Sequence, residues 1–125
     1  MRKVCTVNNT VTFEYDNVME SIRKIPVGAR EQISRFLTFN IELSYEEAGL
    51  FLEGKEDLFN LNGNITSIST EFEENVPFNF SSDYQYMEDI NIDYSNVDVN
   101  NKIIASINFT TKEVNSYGED ISVRV

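Results

Sequence analysis

Apolar and polar residues alternate at the start of the chain. Cys5, Val7, Val11, Phe13 and Tyr15 share one parity, which predicts β structure over residues 3–15. Asn8-Asn9 interrupts that run and is a candidate tight turn, making the segment a small hairpin. Asp16 then stands where an N-cap would. Val18, Met19, Ile22 and Ile25 come next at helical spacing, and Pro26 stops the helix they predict. A second helical stretch is expected from about residue 29 to residue 37, with Ile33, Phe36 and Leu37 inward. The period then changes to two: Phe39, Ile41 and Leu43 alternate with Thr38, Asn40 and Glu42, as in a strand. Ser44-Tyr45-Glu46-Glu47 reads as a capping box. The helix it opens carries Ala48, Phe51 and Leu52, and Gly54 fits its C-cap.

Most of the remaining chain alternates like strands. Asn62-Gly63, between Phe59/Leu61 and Ile65, predicts a hairpin whose second arm runs to about Glu74 with Ile68 and Phe72 on one face. Val76, Phe78 and Phe80 alternate, and Pro77 marks an edge or a break. Tyr84, Tyr86, Ile90, Ile92 and Tyr94 share even parity, interrupted by Glu88. Ile103, Ala105, Ile107 and Phe109 share odd parity, and Ile121, Val123 and Val125 close the chain. The predicted class is α+β: two to three short helices in the first half, packed on a largely antiparallel meander formed mainly by the second half. No linker or low-complexity tract divides the chain, so its 125 residues are expected to form a single domain, 1–125.

Composition agrees with a folded chain. Nine Phe, six Tyr and many aliphatic residues supply a core, at 41% hydrophobic and 25% charged. Cys5 is the sole cysteine, so no intrachain disulfide forms; it reads as a small buried hydrophobe. Met1-Arg2-Lys3-Val4-Cys5-Thr6 lacks the apolar core of a signal peptide, and no stretch approaches the ~20 apolar residues of a membrane span. A cytoplasmic location is therefore expected. Four Asn-x-Ser/Thr sequons, at Asn8, Asn64, Asn79 and Asn108, carry little meaning in that setting.

Charge changes the picture more than composition does. The net charge is −11, and its distribution is uneven. Residues 1–55 hold seven basic and eight acidic side chains, whereas residues 56–101 hold ten carboxylates and neither Lys nor Arg. Such a field repels nucleic acid and anionic membrane and attracts a basic protein. The plainer reading of the same acidity is solubility.

Catalytic chemistry finds little support. Without histidine there is no Ser-His-Asp or Cys-His arrangement, and one cysteine cannot build a thiolate metal site. No glycine-rich phosphate loop occurs. Residues 93–98 faintly suggest a calcium loop but lack its glycine and closing glutamate. The expectation is a non-enzyme with no cofactor and no metal.

Strand geometry gives the acidic run a use. Alternate side chains on a strand share a face at about 6.6–7 Å. Glu71 and Glu73 then share a face, as do Asp89, Asn91 and Asp93, opposite Ile90 and Ile92. With Glu88, and with Tyr84 and Tyr86 as interface aromatics, they are the candidate partner-binding residues. For the tyrosines, sheet packing is the alternative.

The run Leu37-Thr38-Phe39-Asn40-Ile41-Glu42-Leu43-Ser44-Tyr45-Glu46-Glu47, continued to Phe59 and succeeded by acidic alternating strands, resembles small bacterial immunity proteins of contact-dependent or polymorphic toxin systems. The likeness is one of organisation: a short strand, a capped helix, then a sheet meander. It implies a small inhibitor that neutralises a basic toxin or nuclease by covering its active or binding surface. Phage-encoded inhibitors of bacterial defence, acting by nucleic-acid mimicry, share the small, acidic, Asn-rich character. A self-assembling structural or accessory protein, pairing through edge strands around residues 76–80, is the expectation from a third class.

Overall fold

The computed structural model describes residues 2–72, 76–80, 83–94 and 103–111, with backbone alone for residues 25, 27, 30–32, 71, 72, 76 and 77. Eight strands and two short helices succeed one another: β1 Lys3–Val7, β2 Val11–Tyr15, β3 Asn17–Val27, β4 Arg30–Leu43, α1 Tyr45–Leu50, α2 Glu56–Asn60, β5 Ile68–Phe72, β6 Val76–Asn79, β7 Tyr86–Asp93 and β8 Ile103–Thr110. They form two four-stranded sheets of order β2-β1-β5-β6 and β3-β4-β8-β7, antiparallel at every pairing.

The first hairpin forms as its alternation requires. Asn8 and Asn9 take φ of 53° and 57°, and the Thr10 N–H donates to the Val7 carbonyl at 3.1 Å. Two consecutive left-handed residues make a type I′ turn, whose twist matches that of the flanking strands. Cys5, Val7, Phe13 and Tyr15 consequently face the core together.

The two helices expected in residues 16–37 are instead one long β-hairpin, β3–β4, in register from Asn17↔Asn40 to Val27↔Arg30. Gly28, at φ 62°, and Ala29 form its two-residue loop. Asp16 is not a helix cap but the corner at which the chain leaves the first sheet for the second. Its N–H donates to the Asn40 carbonyl at 2.9 Å, and its Oδ2 accepts the Glu42 N–H at 2.6 Å. Arg2 reaches both Asp16, at 3.5 Å, and Glu47, at 3.3 Å, tying this corner to the start of α1.

Helix α1 begins at the expected capping box. The Glu47 N–H donates to Ser44 Oγ at 3.2 Å, and the Ser44 N–H donates to Glu47 Oε1 at 3.0 Å. The helix ends at Leu50 with Phe51 as C-cap, so Gly54, at φ 77°, lies in the next turn and does not cap it. Asn62-Gly63 comes after α2 and does not join two strands. The pair docks on β7, with the Gly63 N–H donating to the Gln85 carbonyl and the Met87 N–H to Asn62 Oδ1, both at 2.9 Å.

Both sheets contribute to one core. Leu37, Phe39, Ile41, Leu43, Ile103, Ala105, Ile107 and Phe109 from one sheet meet Cys5, Val7, Phe13, Tyr15 and Ile68 from the other; Ala48, Phe51 and Leu58 join them from the helical segment. The Phe39 ring lies edge-on to Phe13 at 5.1 Å and to Tyr15 at 4.9 Å, across the gap between sheets. The architecture is thus mixed but dominated by antiparallel sheet, with its helices between β4 and β5. Among the described residues no helix is long and apolar enough to cross a membrane. The closing strand expected at Ile121–Val125 lies outside the described residues.

Candidate functional site

Among the described residues β7 is an edge strand, and the residues facing away from the core on its sheet form ordered rows. The strand registers align Asn17, Asn40, Ser106 and Asn91 in one row, and Met19, Thr38, Asn108 and Asp89 in the next. Ile90 and Ile92, opposite Ile107 and Ala105, pack against the core, which fixes Asp89, Asn91 and Asp93 on the other face. The expected sharing of a face by these three residues is therefore present.

Hydrogen bonds organise this face across three strands. The Thr38 hydroxyl donates to Asn108 Oδ1 at 2.6 Å. Asn108 Nδ2 donates to Asp89 Oδ1 at 2.6 Å, and Asn91 Nδ2 donates to Asp89 Oδ2 at 2.9 Å. Both Asp89 oxygens are thus held by amides, which aims the carboxylate without neutralising it. Asn40 Nδ2 donates to Asn17 Oδ1 at 3.0 Å in the neighbouring row.

Glu88 behaves differently. It sits at an irregularity in the β7–β8 register, between Met87 and Asp89, where a bulge re-aims the side chain. Its carboxylate meets Arg23 at 3.1 Å and is only 17% exposed. Burial pushes its carboxyl above the usual range, Arg23 pulls it back, and Asp89 adds to the rise. The same Arg23 guanidinium lies 3.9 Å from the centre of the Phe36 ring, so the pair covers an aromatic side chain that points away from the main core.

The other candidates are dispersed. Glu71 belongs to β5 in the opposite sheet, paired with Pro77, and Glu73 lies outside the described residues. Tyr84 is only 1% exposed; burial, more than its bond to Glu20, drives its phenol well above the ordinary value. That phenol donates to Glu20 Oε2 at 2.7 Å, which makes Tyr84 a packing residue. Tyr86 lines an open cleft of about 450 Å³ with Ile22, Ile33, Arg35, Asp83 and Thr111. Asp83 is itself paired with Arg35 at 2.9 Å. The described mid-chain anions therefore do not form one surface. Two of them meet arginines from the first half of the chain, and the coherent group contracts to Asp89, Asn91 and Asp93.

Sequence reasoning missed the β3–β4 arm that supplies those arginines. Beyond Phe36, opposite Thr110 at the end of β8, the arm continues with no further described strand beside it. Ile22, 67% exposed, and Ile33, 58% exposed, lie on one of its faces. The signal available was Gly28-Ala29 between two runs in which both parities carry apolar residues.

The thiol of Cys5 is buried and pushed up to about 12 by desolvation, so it is not a nucleophile at neutral pH. Among the described residues no three His, Cys, Asp or Glu side chains stand together as a metal site. Compared with known proteins, the chain matches no family model, no curated protein and no solved structure.

Proposed function

We propose that the chain works by binding and not by catalysis, as a cytoplasmic inhibitor of the immunity type that takes a basic protein partner against β7. One observation carries this reading: Asp89, Asn91 and Asp93 occupy alternate positions on an edge strand whose orientation is locked by Ile90 and Ile92 in the core. The amides of Asn91 and Asn108 hold Asp89 in place before any partner arrives. Such pre-organisation removes part of the ordering cost of association. Acidic side chains in a fixed row match a cationic surface, speed encounter and discriminate against acidic competitors. The small size, the capped helix and the acidic strands support an immunity-type role through their resemblance to that group.

The test is capture of host proteins on immobilised wild-type protein and on the Asp89→Lys/Asp93→Lys variant, identified by mass spectrometry. The expected result is a strongly basic protein retained by wild type, released as salt rises, and absent from the variant. Equal capture by both, or capture indifferent to salt, overturns the assignment of β7.

A further inference from the structure

The described side chains leave a space between the two sheets at one end of the core. A cavity of about 190 Å³ lies there, lined by Lys3, Tyr15, Val18, Thr70, Phe78 and Phe80. Tyr15 of β2 stands opposite Lys3 of β1, and Thr70 of β5 stands between Cys5 of β1 and Phe78 of β6, so the first sheet supplies one wall. Val18, opposite Phe39 in the β3–β4 hairpin, brings in the second sheet. Phe80 joins the cavity to the core, its ring 4.9 Å from that of Phe78 and 5.8 Å from that of Phe39. The space arises because two small side chains, Val18 and Thr70, stand among large ones.

The wall is apolar in its chemistry. The hydroxyls of Tyr15 and Thr70 are hydrogen-bonded to each other, and Thr70 Oγ1 donates to the Val4 carbonyl at 3.0 Å. Both hydroxyl protons are therefore committed within the protein. Lys3 is exposed and stands at the rim. A buried water needs about two to four polar partners, whereas this wall offers mainly rings and a valine. Phe78 shows what the space leaves uncovered. It lies opposite the buried Thr70, on the side of β6 that faces the core, yet it is 46% exposed.

Size selects the guest. An apolar cavity of about 150 Å³ takes up benzene, whereas sites for drug-sized molecules begin near ~300 Å³. At about 190 Å³ the space suits a single ring with one or two small substituents. The rings of Tyr15, Phe78 and Phe80 offer the edge-on and offset contacts that favour an aromatic guest over an aliphatic one.

We infer that this cavity is a binding site for a small uncharged aromatic molecule, a one-ring compound whose buried part carries no hydrogen-bonding group. The inference is independent of the reading of β7, because none of the lining residues belongs to that strand.

Titration of the full chain with p-xylene and with hydroquinone, followed by backbone amide shifts in two-dimensional NMR, tests this. The two probes share a shape, but hydroquinone carries a hydroxyl at each end, so one always points inward. p-Xylene is expected to bind saturably, with shifts concentrated at Val18, Thr70, Phe78 and Phe80. Hydroquinone should bind at least about tenfold more weakly, because the hydroxyls of the wall are already engaged. Val18→Phe puts a ring into the space and should weaken p-xylene binding at least about tenfold. Circular dichroism confirms that the variant is folded, and Val18→Leu serves should it not fold. Four results would each overturn the proposal: no saturable shift up to the solubility limit of p-xylene, shifts spread over exposed apolar side chains away from the cavity, hydroquinone bound as tightly as p-xylene, or an affinity unchanged in the filled variant.

Discussion

Asn8 and Asn9 show how much a pair of residues reveals by itself and how much it hides. Both adopt left-handed φ, and asparagine tolerates that region better than other residues with a side chain. The turn was therefore legible from the dipeptide alone. Hidden was the second task of Asn8. Its Oδ1 accepts the Thr66 N–H at 2.7 Å and the Ser67 N–H at 3.2 Å, and its Nδ2 donates to the Asn64 carbonyl at 3.0 Å. Those partners lie more than 50 positions away, where no local pattern reaches. Tyr84 is a similar case: its alternation is visible, but its bond to Glu20, 64 positions distant, is not. Glycine satisfies the turn at either asparagine and makes no side-chain bonds. Asn9→Gly should change stability by less than about 0.5 kcal/mol, whereas Asn8→Gly should lose about 2 kcal/mol by stripping partners from the 64–67 backbone. Urea unfolding midpoints compare the two; equal losses would show that the side chain of Asn8 does nothing beyond the turn.

At the scale of elements, strands buried on one face were legible and the exposed arm was not. β1, β2, the second half of β4 and β8 each bury one parity in the core, so selection for burial writes period two into their sequences. In the arm the covered face is the one turned away from the core, where Ser34 and Phe36 are buried. Ile33 sits exposed, Phe36 points outward under Arg23, and Leu37 points into the core. Their i, i+3, i+4 spacing imitates a helix although they come from both faces of a strand. Pro26, read as a helix stop, occupies a strand that is at the sheet edge among the described residues, where its missing N–H costs no ladder bond to β4. The Arg23–Glu88 pair over Phe36 makes this arrangement testable. With Arg23 present, burial raises the Glu88 carboxyl and the guanidinium opposes the rise. Arg23→Ala leaves burial unopposed, so the folded protein holds the Glu88 proton to higher pH than the unfolded chain does. For a group raised in that way stability is fully present below the unfolded value and is lost as pH rises through the folded one. The unpaired carboxylate should therefore cost the variant roughly 1–2 kcal/mol more at neutral pH than in mild acid, on top of a loss from the uncovered ring that does not change with pH. Thermal melts across that range read the effect. Adding Glu88→Gln should flatten the pH dependence, and a loss equal at both ends of the range would contradict the role given to Glu88.

At the scale of the molecule, local patterns could not divide the strands between two sheets. The chain crosses at Asp16, returns after α2 so that β5 lies beside β1, and crosses again between β6 and β7. This path places Glu71 in one sheet and Asp89 and Asp93 in the other, which is why a continuous acidic run does not fold into a continuous acidic face. The candidate site was legible in its alternation along β7 and illegible in its extent, because the extent depends on which strands become neighbours. Phe39 is where the two sheets depend on each other. Its ring meets Phe13 and Tyr15 of the first sheet at 5.1 and 4.9 Å, Phe109 of its own sheet at 5.9 Å, and Phe80 at 5.8 Å. Edge-on contacts with four rigid rings leave little that can collapse into a vacated space. Phe39→Ala should accordingly cost about 3–5 kcal/mol. Because the ring is shared, the loss should appear in both sheets together. Amide exchange should accelerate by a similar factor at Val7 in β1 and at Ile107 in β8, two buried positions in different sheets. Acceleration confined to β8 and its neighbours would mean that each sheet unfolds by itself, and the shared core would not be what holds them together.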